Sequence, residues 1–123
     1  MSAGTNQLGR IGEDLAVRHL RDRGYVILAR NWRAAVESVR GELDVIAEHG
    51  ATLVFCEVKT RRRSGAVDTF ASVTFAKQRQ IRRLAALYLA GLDTYRDVRF
   101  DAIAVWWPPA GDAAVIDHIV GAF

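Results

Sequence analysis

The chain has 123 residues, half of them apolar, with a net charge of +3 at neutral pH and a single cysteine. That length supports one hydrophobic core and not two, so one domain over residues 1–123 is expected. Lone Cys56 excludes an intrachain disulfide and a cysteine zinc site; in its apolar surroundings it reads as a small core residue. No apolar stretch approaches the ~20 residues that span a bilayer, and Met1 to Arg10 lacks the hydrophobic centre of a secretory signal. A cytoplasmic protein with no membrane partner is the expectation.

The first element, about Gln7 to Arg23, has helical spacing. Leu8, Ile11, Leu15, Ala16 and Leu20 fall on one arc, and Gly24 is a natural stop. Gly9 and Gly12 are costly inside a helix, which points to close packing or close approach of a ligand. Glu13 lies at the margin of the arc, where it can reach over a sheet edge; the pattern alone makes it a boundary glutamate paired with Arg10 or Arg21. A strand from Tyr25 to about Ala29, extending as far as Trp32, follows, and Arg33 to Arg40 reads as a loop.

Leu43-Asp44-Val45-Ile46-Ala47 and Leu53-Val54-Phe55-Cys56 are two apolar runs joined by Glu48-His49-Gly50-Ala51-Thr52, a β-hairpin signature. With an even-numbered loop, either Gly50-Ala51 alone or His49 to Thr52, residues whose numbers sum to 101 face each other. Asp44 then opposes Glu57, and Ile46 opposes Phe55. Strand alternation places Phe55, Glu57 and Lys59 on one face and Val54, Cys56 and Val58 on the other. Directly opposed carboxylates are destabilising unless compensated, and a divalent cation together with Lys59 would compensate them. A Glu-x-Lys triplet by itself is explained as well by a solvated ion-pair cluster. The opposed Asp44, the apolar strands around both acids and the basic surroundings favour a metal-dependent phosphodiester-cleaving site.

The charge is unevenly built, with fifteen arginines against two lysines. Arg61-Arg62-Arg63 follows Lys59 directly and opens a basic loop running to Ala71. Lys77, Arg79, Arg82 and Arg83 crowd the start of a helix capped by Ser72 or Thr74 and running to about Ala90. Its buried stripe is Ile81, Leu84, Ala85, Tyr88 and Leu92, with Arg79, Arg82 and Arg83 opposite. Basic clusters beside an acidic pair suit a polyanionic substrate; a solvated basic face is the plainer explanation for the helix. Val98 to Trp107 and Ala114 to Val120 read as strands around the turn-rich Pro108-Pro109-Ala110-Gly111-Asp112. The order αβββαββ implies an α/β sandwich with helices covering a mixed sheet.

This order, with Glu13, Gly41-Glu42-Leu43-Asp44, Phe55-Cys56-Glu57-Val58-Lys59, Lys77 and Arg99-Phe100-Asp101, resembles the YraN family. These are small bacterial proteins regarded as predicted endonucleases, similar to Holliday junction resolvases within the PD-(D/E)XK nuclease superfamily. The resemblance runs from Gly9 to the closing His118-Ile119-Val120-Gly121-Ala122-Phe123. It implies a restriction-endonuclease-like fold with active-site positions at Glu13, Asp44, Glu57 and Lys59. Two departures stand out: Cys56 where relatives carry valine, and no Phe-Gly turn around Asp68-Thr69-Phe70-Ala71.

On this resemblance Asp44, Glu57 and the Val58 carbonyl would hold Mg²⁺ or Mn²⁺, oxygen ligands suiting such ions. Lys59 would orient the attacking water or stabilise charge growing on the phosphorane. Glu13 would bind a second ion or position its waters, while Lys77 or Gln80 contacts the scissile phosphate and Arg61, Arg62, Arg63, Arg79 and Arg83 hold the nucleic acid. DNA is the expected partner, branched DNA among the candidate substrates. Symmetric cutting of two strands would call for a homodimer, although no segment reads as a dedicated interface. The alternative is a nucleic-acid-binding or scaffolding protein that keeps the fold without turnover.

Overall fold

The computed structural model describes residues 3–36, 38–62, 73–108 and 113–123. In it the chain runs α1 (Ala3–Asp22), β1 (Val26–Arg33), β2 (Glu42–His49), β3 (Thr52–Arg62), α2 (Phe75–Ala90), β4 (Asp97–Trp107) and β5 (Val115–Ile119). The five strands lie side by side in chain order in one sheet. All neighbours are antiparallel except β3 and β4, which are parallel because α2 carries the chain back across the sheet. This is the expected αβββαββ sandwich with a mixed sheet, as in restriction-endonuclease-like folds.

Each helix covers one sheet face. Ala16, Val17 and Leu20 of α1 pack on Val45, Ala47, Val54, Cys56, Ile103 and Val105. On the other face Ile81, Leu84 and Ala85 of α2 pack on Ile46, Leu53 and Phe55, with Tyr88 and Leu92 alongside, which is the stripe read from the sequence. The α1 arc needs a correction: Ile11 is 49% exposed and Val17 is buried instead. The cause is Gly12, where an added Cβ would run into the Thr60 side chain. That close approach turns the Gly12-Ala16-Leu20 line onto the sheet and Ile11 off it. Gly9, with nothing near its would-be Cβ, faces open space.

The hairpin turn is Gly50-Ala51 alone, since His49 pairs with Thr52 and Ile46 with Phe55. Gly50 has φ +61°, the left-handed conformation that a type II′ hairpin requires at its first central position. Thr74, not Ser72, caps α2: its Oγ1 accepts from the Lys77 N–H at 3.2 Å. The basic loop beyond Arg62, with Arg63, Ser72 and the Asp68-to-Ala71 departure, lies outside the described residues, as do 109–112 of the last turn. Arg82 does not simply join a solvated face, because its guanidinium sits 4.6 Å over the Phe100 ring. Trp106 and Trp107 are both half-buried: Trp106 donates to Asp117 Oδ2 at 2.8 Å, and Trp107 packs against the core under α1. No described helix is long and apolar enough to cross a membrane.

Within the α1 layer lies a buried polar network. Asp101 on β4 is 0% exposed. Its Oδ1 accepts from Arg99 Nε at 2.9 Å and from the Gly121 N–H at 3.0 Å, and its Oδ2 from Arg99 Nη2 at 3.0 Å. His118 Nε2 lies 2.7 Å from the same Oδ2. A carboxylate can only accept, so His118 carries its proton on Nε2, and in the neutral ring Nδ1 is left to accept from His19 Nε2 at 3.2 Å. Burial alone would push the Asp101 carboxyl up, but the bonds from His118, Arg99 and Gly121 outweigh it and bring it down to about 2. Tyr25, stacked on His49, accepts a further bond from Arg99 at 2.8 Å.

Candidate active site

The site arises where two neighbouring strands break their alternation together. On β2, Leu43 joins the core under α2 while Val45, two residues on, joins the core under α1. On β1, Arg30 reaches Glu13 and Asp14 of α1, while Trp32 meets Tyr88 of α2 edge-on. The residues between are Asp44 and Asn31, which are skipped in the pairing of Arg30 with Val45 and of Trp32 with Leu43. Asn31 has φ +53°, a left-handed conformation that asparagine tolerates better than most residues. The regular alternation assumed for Asp44 therefore does not hold at that residue.

The β2–β3 ladder likewise ends at Val45–Cys56, one pair short of Asp44 and Glu57. The Asp44 side chain takes over: its Oδ2 accepts the Val58 N–H at 2.9 Å. A strand residue presents its N–H and C=O toward the same neighbour, so the Val58 carbonyl leaves β3 on this same edge. Burial, reinforced by a hydrogen bond and by charge from Glu57, pushes the Asp44 carboxyl up to about 8; the Val58 N–H and Lys77 pull the other way. Two carboxyl groups held close in a dry place hold a proton more tightly than an exposed carboxylate does.

Glu57 lies on the α2 face as expected and is 4% exposed. Its Oε2 is buried and has no hydrogen-bond partner. Two lysines stand near this oxygen without bonding it, Lys77 Nζ at 3.7 Å and Lys59 Nζ at 4.0 Å. Unsatisfied buried polar atoms are rare in folded proteins, so this one calls for a reason. Cys56 faces the α1 core, away from Glu57, and burial pushes its thiol up, which fits an inert core residue.

Glu13 does reach over the sheet edge, but its partners are Arg30 (Nε and Nη2, both 3.2 Å) and Asn31 (Nδ2, 2.8 Å), not Arg10 or Arg21. Burial raises its carboxyl, the bonds from Arg30 and Asn31 oppose the rise, and the nearby Asp44 adds to it. Glu13, Asp44, Val58 and Lys59 line one cleft of about 500 Å³, rimmed by Arg10, Arg61 and Arg62. Arg79, Gln80 and Arg83 line a different one. There Gln80 is turned to the loop before β2, its Nε2 donating to the Arg40 carbonyl at 2.6 Å. Arg30 and Asn31 escaped the sequence reading, which looked for the partners of Glu13 on its own helix; no local signal pointed to β1 instead.

Among the described residues no three histidine, cysteine or carboxylate side chains converge as a ready-made metal cage. Two carboxylates and a carbonyl remain at the end of the hairpin, a donor set of the kind Mg²⁺ accepts while keeping several waters. The unpartnered Glu57 oxygen and the raised Asp44 carboxyl both fit a cation-binding pair.

The fold and site together define a class: a small α/β sandwich with a buried acidic pair, of which Asp44, with the adjacent Lys59, lines an arginine-rimmed cleft while Glu57 lies behind it. The chain belongs to the uncharacterised protein family UPF0102, whose model matches residues 12–105. A UPF0102 protein of Nocardia farcinica is 48% identical over 117 residues, covering 94% of this chain and 88% of the relative. One of Frankia alni is 46% identical over 117 residues, covering 94% and 93%. One of Mycobacterium ulcerans is 51% identical over 102 residues, covering 80% of each.

Proposed function

We propose that this protein is a Mg²⁺- or Mn²⁺-dependent endonuclease of the PD-(D/E)XK type, hydrolysing phosphodiester bonds in nucleic acid. The observation that carries the reading is the buried Asp44–Glu57 pair, with one unpartnered oxygen and a raised carboxyl, beside Lys59. Asp44, Glu57 and the Val58 carbonyl would hold the ion, which supplies polarisation of the phosphoryl group and acidification of a water. An ion and a proton would compete for this pair, so loading would strengthen as pH rises. Lys59, freed from Glu57, offers its ammonium to the charge that grows on the phosphoryl oxygens. Glu13, fixed by Arg30 and Asn31, positions water at the wall of the cleft, and Arg61 and Arg62 at the rim face the polyanion. The resemblance to Holliday junction resolvases puts branched DNA first among substrates and makes a homodimer the assembly to look for.

A second reading has its own support. Glu13 is committed to Arg30 and Asn31, and two lysines already flank Glu57, so the same residues would serve a nucleic-acid-binding protein without turnover. One assay separates the two: end-labelled linear, single-stranded, flapped and four-way DNA incubated with Mg²⁺ or Mn²⁺. Cleavage by wild type and not by Asp44→Asn or Lys59→Ala supports the nuclease. Metal-independent binding, untouched by both substitutions and without cleavage, supports the binder.

A further inference from the structure

We infer that a second groove, on the α2 side of the acidic pair, is a phosphate-holding track for the nucleic-acid strand that flanks the cleaved bond; this rests on the nucleic-acid reading above. The groove has a volume of about 420 Å³ and is walled by Arg79 and Arg83 of α2 on one side and by Ser38 to Arg40 on the other. Three observations make it more than a solvated basic face. First, three arginines, Arg40, Arg79 and Arg83, converge on this one groove, and none of them has a carboxylate partner among the described residues.

Second, the two walls are locked at a fixed separation. Gln80 Nε2 donates to the Arg40 carbonyl, and Gly41, at φ +109°, leaves the space that Gln80 fills; a Cβ there would collide with the amide. Gln80 is therefore a positioning residue that sets Arg40 across from α2. Third, the groove, though separate from the cleft, is tied to the acidic site by the same two stretches of chain. Arg40 lines the groove and Glu42 the cleft of Asp44, one residue apart from each other across Gly41. On α2, Lys77 at Glu57 and Arg83 in the groove are six residues apart. That is about 9 Å of helix axis, or two to three nucleotides at ~3.4 Å of rise. A strand with one phosphate at Lys59 and Lys77 would lay its neighbours along the arginines.

The test is fluorescence anisotropy of the full chain with a labelled 20-nucleotide single strand and its duplex, in EDTA, across a salt series. Arg79→Ala/Arg83→Ala is compared with Arg18→Ala/Arg21→Ala, which removes the same charge from the exposed face of α1. The expected result is a slope of log K against log [salt] shallower by about two, and low-salt affinity about tenfold weaker, for the α2 pair alone. Equal losses in both double variants, or no binding by wild type, would overturn the track. Competition by inorganic phosphate beyond that of chloride at matched ionic strength, undiminished by the Arg18/Arg21 change, would assign a free-anion site in its place. Failure of the track is distinguishable from failure of the nuclease: unchanged binding with intact Mn²⁺-dependent cleavage sinks the groove only, and groove-dependent binding without cleavage on any DNA structure sinks the nuclease only.

Discussion

Asp101 and the Asp44–Glu57 pair are carboxylates buried in one sheet, on neighbouring strands, and their surroundings are opposite. Every oxygen of Asp101 is bonded, by a guanidinium, an imidazole and a backbone N–H, and its carboxyl is held down at about 2. Asp44 is pushed up to about 8, and Glu57 Oε2 has no hydrogen-bond partner among the described residues. The fold is therefore able to satisfy a buried acid completely, and at the hairpin end it does not. A satisfied network rigidifies a core; an unsatisfied one in a cleft marks a place where a ligand completes the count.

The largest expected effect tests that contrast directly. Asp101→Ala leaves Arg99 and His118 without their counterpart inside the core and should cost about 3–5 kcal/mol in urea unfolding. Asp44→Asn keeps an oxygen for the Val58 N–H and is uncharged at every pH, so it avoids the cost of ionising a second carboxyl beside Glu57, and metal-free stability should stay within ~0.5 kcal/mol of wild type or rise. If Asp44→Asn proves the more damaging of the two, the hairpin acids are structural.

The next effect is in pH, where the two regions have opposite signs. Asp101 has a folded pKa below its unfolded value, so its contribution is present above about pH 4 and is lost as pH falls toward about 2. Asp44 has a folded pKa above its unfolded value, so its contribution is full below about pH 4 and is lost as pH rises through about 8. His19, lowered by burial and by Arg23 and His118, joins the acid limb, since the unfolded chain binds its proton first. Denaturant midpoints measured in EDTA from pH 3 to 9 should fall at both ends, and Asp44→Asn should flatten the alkaline limb only. A wild-type alkaline limb that survives this substitution contradicts the assignment.

A smaller effect follows from adding metal. Free Mn²⁺ at ten times its Kd should stabilise wild type by about 1.4 kcal/mol, by mass action, and Asp44→Asn not at all. Titration by calorimetry fixes the Kd independently; equal Mn²⁺ binding by both proteins would remove the ion from this site.

Which parts of this were legible follows from the range of the forces involved. The hairpin register was, because Gly50 and the apolar alternation are local signals, and so was the α2 stripe. The acidic pair was legible as a pair but not in its detail. A lone alternation break at Asn31 and Asp44 leaves no pattern in composition, and it is what swings Asp44 onto the Val58 N–H. The Asp101 network was hidden for a different reason: His19 and His118 are 99 residues apart. Its one visible sign was two charges two residues apart, Arg99 and Asp101, on the same face of a strand that is apolar from Ala102 onward, a placement that a buried pairing makes tolerable.

The finest discrimination comes from Tyr25→Phe, which deletes only the oxygen that accepts from Arg99 and keeps the stack on His49. Its cost should be about 1 kcal/mol. More telling is the background in which it is made. Tyr25 and Asp101 share Arg99, so their effects should be non-additive by ~0.5 kcal/mol or more, because Arg99 already released by Asp101→Ala has less to lose. Tyr25 and Asp44 share no partner, so Tyr25→Phe should cost the same in wild type and in Asp44→Asn, within about 0.3–0.5 kcal/mol. Coupling of the same size in both backgrounds would mean that the polar network and the acidic pair form one system through the Cys56–Glu57 stretch of β3, and the satisfied end of the sheet would then be helping to hold the unsatisfied end in place.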